Sequence, residues 1–159
     1  DFGAVEADIE LGGLRIRSLD IETGASDSEV VFSTPNPLDC EHLDVSMGAA
    51  ALALEGLGNA NCAMIRVDGG VGDMTLDFTG DWRRSMEAEI NMALGSLTLV
   101  VPADIGVRVD KETFLTGFDG ARFDKRDGVF YSTNWETARH RLTVDLSGAF
   151  GSVNVRWRN

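Results

Sequence analysis

The residues of this chain that could do chemistry are, first, carboxylates beside glycines. Residues 68–73 read Asp-Gly-Gly-Val-Gly-Asp and share part of the calcium-binding nonapeptide GGxGxDxUx, in which oxygens from successive turns hold the ion. Asp73 follows Gly72 directly, and no tandem copy supplies further oxygens, whereas calcium needs about six or more. We therefore expect a plain glycine turn here and no metal site.

The histidines and the glycine-linked serines do not form a catalytic motif. His42 and His140 are the two histidines, and neither lies in an HExxH or comparable ligand spacing. Ser96 and Ser152 follow turn glycines, without the GxSxG pattern of a nucleophile elbow. The sequence predicts no catalytic residue and no cofactor.

Carboxylate pairs keep one enzymatic alternative open. Glu87/Glu89 or Asp77/Asp81 could serve a polysaccharide-active enzyme, provided that one carboxyl group is held protonated. The chain has 26 acidic residues, so such pairs also arise by chance. A non-enzymatic protein is the prediction, and the enzyme is the alternative.

Aromatic and arginine side chains are better candidates for binding a partner. An indole next to two guanidiniums, as in Trp82-Arg83-Arg84, offers ring stacking and bidentate contacts to carboxylates. Residues 110–136 hold six of the twelve aromatic residues. The candidate partner surface comprises Trp82, Arg83, Arg84, Phe114, Phe118 and Trp135. The alternatives are a satellite core for the aromatic segment and ion pairs with nearby acids for the arginines.

A repeated pattern of glycines indicates how these residues are positioned. In four places, residues 11–16, 71–76, 94–99 and 150–155, an apolar residue and a glycine introduce a short alternating run. The structural turn residues are Gly12, Gly72, Gly95 and Gly151. Gly72 and Gly95 are 23 residues apart, close to the repeat length of many solenoids. Stacked or radially repeated β-structure with glycine corners is therefore predicted.

Alternation of apolar and polar residues predicts strands along most of the chain. Leu14 and Ile16 mark an early strand, and the pattern continues in later runs such as 86–92 and 142–146. Residues 47–54 fit both a helix and a strand, and we favour the strand because their neighbours are strands. The chain is expected to form one domain, residues 1–159, with 110–136 as an insertion or capping segment.

Composition excludes several classes of protein. A formal net charge of −12 opposes binding to nucleic acids. No apolar run is long enough for a transmembrane helix, so the visible chain is not expected to insert into a membrane. The sequence begins at Asp1 without an initiator Met, which suggests a piece of a longer protein.

The two cysteines allow two interpretations. Cys40 and Cys62 could form one disulfide in a secreted protein, and two thiols alone cannot build a zinc site. We expect two small buried apolar residues.

Residues 69–78, 94–109 and 149–155 resemble the bacterial toast-rack domain and the related C-terminal domain of LiaF-like cell-wall-active antibiotic response proteins. The resemblance implies an all-β fold, a right-handed single-stranded β-solenoid. It also implies an extracytoplasmic location, periplasmic, lipid-anchored or secreted, and for some relatives a role in sensing envelope stress.

Together these observations predict a non-enzymatic binding or signalling module of the cell envelope, with an envelope protein or polysaccharide as partner. The alternative from a different class is a structural or adhesin-like solenoid that self-assembles into a homo-oligomer.

Overall fold

The computed structural model describes residues 6–25, 27–49, 51–115, 118 and 120–159, with the side chains of 113–115 outside the description. Strands dominate, and the one helix in this part of the chain, α1 (Leu57–Ala60), has four residues. The strands are β1 (Ala7–Glu10), β2 (Ser18–Thr23), β3 (Ser28–Val31), β4 (Cys40–Ala49), β5 (Leu52–Glu55), β6 (Cys62–Asp77), β7 (Met86–Pro102), β8 (Gly106–Leu115), β9 (Phe123–Arg126), β10 (Val129–Ser132) and β11 (Arg141–Arg158).

The strands form two hydrogen-bonded ladders that share three long strands. Ladder A runs in the order β2, β4, β6, β7, β11, β8, β10, β9, and uses the first halves of β6, β7 and β11. Ladder B runs β1, β3, β5 and then the second halves of the same three strands. The central layers of the stack therefore have one strand segment in each ladder, whereas β8, β10 and β9 extend ladder A. The all-β, solenoid-like class predicted from the sequence is confirmed.

Successive layers pair in parallel with a nearly constant offset. Cys40 lies opposite Cys62 between β4 and β6, and Met64 lies opposite Glu87 between β6 and β7. The offsets of 22 and 23 residues hold along the whole of both pairings. The spacing of glycines in the sequence is thus the length of one layer.

Because successive layers pair in the same register, equivalent residues of the layers lie above one another. In ladder B, Val30, Leu54, Leu76 and Leu99 form one inward column in which every side chain is 0% exposed. A second column in ladder A consists of Ile21, Val45, Val67, Ile90 and Leu146, all buried. Columns of this kind form one continuous apolar core between the ladders.

The end of the stack departs from sequence order. β11 lies between β7 and β8, parallel to both, although β8 precedes it in the chain. β8 then continues ladder A through an antiparallel hairpin formed by β9 and β10. The aromatic segment 110–136 thus contributes the last strands of this ladder.

Glycines lie where each strand passes from ladder A to ladder B. Gly72 and Gly95 are register partners with φ of 150° and 156°, and a Cβ on Gly95 would overlap the carbonyl oxygen of Gly72. Likewise, a Cβ on Gly70 would overlap the Gly48 oxygen, and one on Gly148 would overlap the Met92 oxygen. Successive backbones therefore approach too closely at the bend for a side chain. β6, β7 and β11 continue through it as unbroken strands, not as the separate strands and turns that the sequence suggested.

The first of the four glycine repeats is not equivalent to the others. Gly12 lies in a turn on the opposite side of the stack, where the chain passes from β1 to β2. The predicted strand at Leu14 and Ile16 is wrong: both residues lie in this loop, and Leu14 is 50% exposed. The alternation was present, but Gly13, with φ of 73°, turns the chain away from the sheet.

Residues 47–54 form strand on both sides of the bend, as expected, with Ala50 itself outside the described residues. The cysteines are buried, as expected, but they are joined by a disulfide between adjacent strands instead of remaining free. No helix within the described ranges has the length and apolar character that crossing a bilayer requires.

Removal of the disulfide should lower stability. The bond closes a loop with a sequence separation of 22, for which loop-closure entropy gives about 3 kcal/mol. We expect urea unfolding of the reduced protein to show a free energy lower by about this amount. The C40A/C62A variant should have the same free energy of unfolding as the reduced protein, and reductant should not change it. If reduction leaves the unfolding midpoint of the unaltered protein unchanged, the disulfide is contradicted.

Gly95→Ala should destabilise the fold by at least about 3 kcal/mol, because the new Cβ meets backbone that cannot move without shifting a whole layer. Gly128→Ala is the matched control: Gly128 also has positive φ, 85°, but nothing lies within 4 Å of its Cβ position. The control should cost about 1 kcal/mol. Equal losses in thermal or urea unfolding would show that conformation, not backbone contact, selects glycine at the bend.

Candidate functional site

The structure places the predicted partner residues in separate positions. Trp82 and Arg83 lie in the loop between β6 and β7. The indole Nε1 of Trp82 donates to the carbonyl oxygen of Phe78 (2.7 Å), and its ring covers Gly58 of α1. The guanidinium of Arg83 donates to the carbonyl oxygen of Asn36. Both side chains thus hold neighbouring loops together.

Arg84 and Trp135 are brought together. They line a surface pocket of about 510 Å³ with Arg141, next to the first residues of β6, β7 and β11. We call this the aromatic–arginine pocket. Its remaining lining residues are Ala63, Met64, Ser85, Met86, Glu87 and Thr143.

The guanidinium of Arg141 has a fixed orientation in this pocket. Its Nε donates to the carbonyl oxygen of Trp135 (2.8 Å), and its Nη2 donates to that of Glu136 (3.3 Å). The guanidinium carbon lies 5.4 Å from the centre of the Trp135 ring. The ring is in turn in edge contact with Tyr131 at 5.6 Å. A cation and a half-buried indole are therefore positioned before any ligand arrives.

Arg84 is the second cation of the pocket. Within the described part of the chain, the guanidinium of Arg84 is not the donor of any ion pair, and Glu87 is the carboxylate residue among the lining residues. A pocket lined by two arginines and a single carboxylate residue suits an anionic ligand.

Phe118 belongs to a third location, an aromatic cluster under the terminal hairpin. Its ring lies 5.4 Å from that of Phe123 and 4.6 Å from that of Phe130. Phe123 also contacts Trp157, and all of these rings pack against the core. Phe114 lies in β8, and its side chain is outside the described residues.

The outer face of ladder A is a polar surface that includes a depression of about 490 Å³. Arg66 bridges Asp44 (3.5 Å) and Glu89 (3.1 Å) across three strands. Arg108 pairs with Asp110 (3.0 Å) and lies 3.9 Å from Asp145. The lining residues are Arg66, Asp68, Glu89, Ile90, Asn91, Asp110, Glu112, Asp145, Leu146 and Ser147.

Asp145, one of the carboxylates of this depression, has a raised pKa. Partial burial raises its pKa, Arg108 opposes this, and the negative charges of Asp110 and Glu89 raise it further. A raised pKa is one requirement of a general acid. The side chain is 52% exposed, however, which allows solvent to screen these charges.

Of the other predicted carboxylate residues, Asp77 has a structural contact through its side chain and Asp81 through its backbone. Asp77 accepts a hydrogen bond from the backbone N–H of Thr79 (2.8 Å), and the N–H of Asp81 donates to Asn59 (2.8 Å). Asp68 lines the depression of ladder A, whereas Asp73 lines a different one on ladder B. The bend thus separates the two aspartates of the calcium-like sequence.

His42 lies beside two carboxylates, Asp20 and Asp44. Asp20 is brought close by the pairing of β2 with β4, which the sequence alone does not show. Asp20, His42 and Asp44 offer ligand atoms within 4.8 Å of one another. The positive charge of Arg66 already lies 3.5 Å from Asp44. This guanidinium supplies the counter-charge that a metal ion would otherwise provide.

Sequence reasoning missed the contribution of Arg141 and of several asparagines. Asn36, 2% exposed, binds backbone groups of Ile16, Leu38 and Ala60, and thereby joins the loops of three layers. Asn134 donates to the carbonyl oxygens of Ala103 and Ile105 and helps to shape the wall behind the aromatic–arginine pocket. Asparagine in loops gives no signal that distinguishes such a role from an ordinary turn.

Asp145→Asn should stabilise the protein at neutral pH. A carboxyl whose pKa is higher in the folded state binds more protons when folded, so its ionisation weakens folding as the pH rises through that pKa. The variant should therefore have the higher melting temperature at neutral pH, and the difference should vanish in acid below the ordinary pKa of aspartate. A lower melting temperature at neutral pH would mean that attraction to Arg108 dominates.

Comparisons with known proteins agree with this architecture. Residues 40–100 match the family described as the N-terminal domain of toast_rack, DUF2154, a range that extends from β4 through most of β7. No curated protein sequence matches the chain. A crystal structure of a putative cell adhesion protein from Clostridium sporogenes has a TM-score of 0.65 and 13% sequence identity, covering 98% of this chain and 92% of that one.

At this identity the structural likeness shows a common fold. The sequence match is to the layers with the most regular register and the stacked glycines. Residues 40–100 are thus similar to the toast-rack family, in agreement with the resemblance that the glycine pattern of the sequence indicated.

Proposed function

We propose that this chain is a non-enzymatic binding module of the bacterial cell envelope that holds an acidic polysaccharide in the aromatic–arginine pocket. The observation that carries the proposal is the arrangement of Trp135 and Arg141 beside a second arginine, Arg84. A hydrogen bond to a backbone carbonyl oxygen holds the Arg141 guanidinium next to the Trp135 indole. Such a pocket needs no conformational change to receive a ligand, which lowers the entropic cost of binding.

The chemistry of the pocket fits a sugar acid. Guanidiniums form paired, charge-assisted hydrogen bonds to carboxylates, and an indole offers an apolar surface to the face of a sugar ring. The pocket of about 510 Å³ lies in the size range of small-ligand sites. An acidic polymer would place one residue in it and extend along the flank of the stack.

Three observations support a location outside the cytoplasm. The Cys40–Cys62 disulfide is typical of an oxidising compartment. Residues 40–100 match a family whose resemblance implies the cell envelope, and the protein of the same fold from Clostridium sporogenes is described as a putative cell adhesion protein. We propose a periplasmic, lipid-anchored or secreted module, wound as a right-handed solenoid with glycine corners.

We propose that binding of the polysaccharide serves envelope stress signalling. A rigid stack connected by hydrogen bonds along its length would present the pocket at a fixed distance from any attached segment. Loading of the pocket by a wall polymer would then report on the state of the envelope.

The proposal is tested by comparing two adjacent arginines. Arg84 lines the pocket, whereas Arg83 donates to Asn36 and does not. With polygalacturonic acid as a soluble polymer of sugar carboxylates, titration calorimetry should show affinity reduced about tenfold in Arg84→Ala, because a charge-assisted contact is lost. Arg83→Ala should bind like the unaltered protein.

Trp135→Leu should also weaken binding while the dichroism of the sheet is retained. Absence of binding by the unaltered protein, or equal losses in Arg83→Ala and Arg84→Ala, would overturn the proposal. Binding to an acidic envelope protein but not to the polysaccharide would likewise reject the ligand class proposed.

A further inference from the structure

The charge of this protein changes sign along the stack. Residues 1–60, which form the first layers, contain twelve acidic and two basic residues, and residues 61–105 contain seven acidic and three basic. Residues 106–159 contain seven acidic and nine basic residues, although the whole chain has a net charge of −12. Acidic residues are therefore concentrated in the first layers, and the last third of the chain has a small excess of basic residues.

The first layer is the acidic end, and it is open. β1 pairs with β3 and β2 pairs with β4; within the described ranges, no further strand lies on their outer sides. Asp8 and Glu10 on β1 and Asp20 and Glu22 on β2 are exposed at its rim. Backbone N–H groups of Gly12 and Ser33 lower the pKa of Glu10 and so keep this carboxylate charged.

The apolar core is also incompletely covered at the acidic end. Ile9, Leu11, Ile16 and Leu19 are only half-buried against the core, whereas the equivalent inward residues of later layers are fully buried. Leu14 is 50% exposed in the adjoining loop. An open strand edge beside apolar side chains favours the addition of another strand.

The terminal hairpin is the basic end. β9, which reads Phe-Asp-Lys-Arg, pairs only with β10 among the described strands and closes ladder A. Arg122, Lys125 and Arg126 are exposed there beside the exposed acids Asp124 and Asp127, and Arg126 also pairs with Glu136 (3.2 Å). The excess of positive charge at this end comes with Arg156 and Arg158, which are exposed in the last part of β11. Each cation of the hairpin lies over a ring: Arg122 over Trp157 (5.6 Å), Lys125 over Phe130 (5.5 Å) and Arg126 over Tyr131 (5.3 Å). These contacts restrict the basic side chains before any partner binds.

We propose that the basic hairpin end of one molecule docks on the acidic first layer of a second copy, so that the chains assemble head to tail. Both docking edges belong to ladder A, with β9 at one end and β2 at the other, so the contact can extend the same sheet from copy to copy. Two acidic ends repel each other, and so do two basic ends. The charges therefore permit only the head-to-tail contact, which is heterologous and forms an open chain of subunits.

This assembly goes beyond the proposed polysaccharide binding and does not depend on it. The aromatic–arginine pocket lies on the side of the stack, lined by residues of β6, β7 and β11 and by the loop residues Arg84, Ser85 and Trp135. Neither β2 nor β9, the two docking edges, contributes to its lining. Self-association can therefore be measured without polysaccharide, and each proposal can fail alone.

Sedimentation of the purified chain over a micromolar to millimolar series should show oligomers that grow with concentration. Raising the ionic strength from about 0.05 M to about 0.5 M should weaken them, since it screens the opposite charges at the contact. Salt would instead strengthen a non-specific association between molecules that each carry −12. A monomer throughout the series, or oligomers strengthened by salt, would overturn the proposal.

Charge reversal at either end identifies the contact. The variants K125E/R126E and D20K/E22K change exposed side chains, and each should weaken self-association about tenfold or more through like-charge contact. D81K/D104K is the control with the same charge change at exposed positions away from both edges, and it should associate at least as well as the unaltered chain.

Mixing the two end variants should restore oligomers, because the acidic hairpin of one then faces the basic first layer of the other. Failure of the mixture to associate, while both variants keep the dichroism and melting temperature of the folded protein, would reject docking through these ends. Equal weakening in the D81K/D104K control would do the same.

Discussion

Close approach of successive backbones at the bend is the constraint on which the rest of this structure depends. Neighbouring parallel strands lie about 4.8 Å apart, and at the bend Gly95 faces the Gly72 carbonyl while Gly148 faces that of Met92 with no room for a Cβ. When the bends superimpose, the inward residues before and after them superimpose as well. A displacement by one residue would turn the column of Val30, Leu54, Leu76 and Leu99 towards solvent.

The sequence predicted those features that repeat with the layer. Glycines 23 residues apart and apolar residues at alternate positions report directly on the register of β6 and β7, where each layer copies the one before. The same alternation misled at Leu14 and Ile16, since a local pattern does not show that Gly13 leads the chain into a loop. The disulfide depended on a register that brings Cys40 opposite Cys62, and no local spacing indicates that pairing.

The candidate site was harder to predict from the sequence, because its residues come from distant segments of the chain. Arg84 and Trp135 were singled out as residue types, but their meeting requires β11 to lie beside β7, a topology that no short motif encodes. Trp82 and Arg83, although adjacent to Arg84, satisfy backbone carbonyl groups in other loops. Of the three consecutive residues, Trp82 and Arg83 therefore stabilise the fold, and Arg84 lines the pocket. The sequence does not distinguish these roles, because they depend on contacts with distant residues.

Because β11 pairs with both β7 and β8, ladder A can form fully only after β11 has been synthesised. As the chain emerges from the ribosome or a translocation channel, the facing edges of β7 and β8 remain unsatisfied until residues 141–158 arrive. Because the strand that joins them is separated from β7 by the whole aromatic segment, its insertion is a late, non-local step. Until that step the growing sheet exposes adhesive edges, so cleavage or early termination before residue 141 would leave an aggregation-prone fragment and not a shorter functional stack.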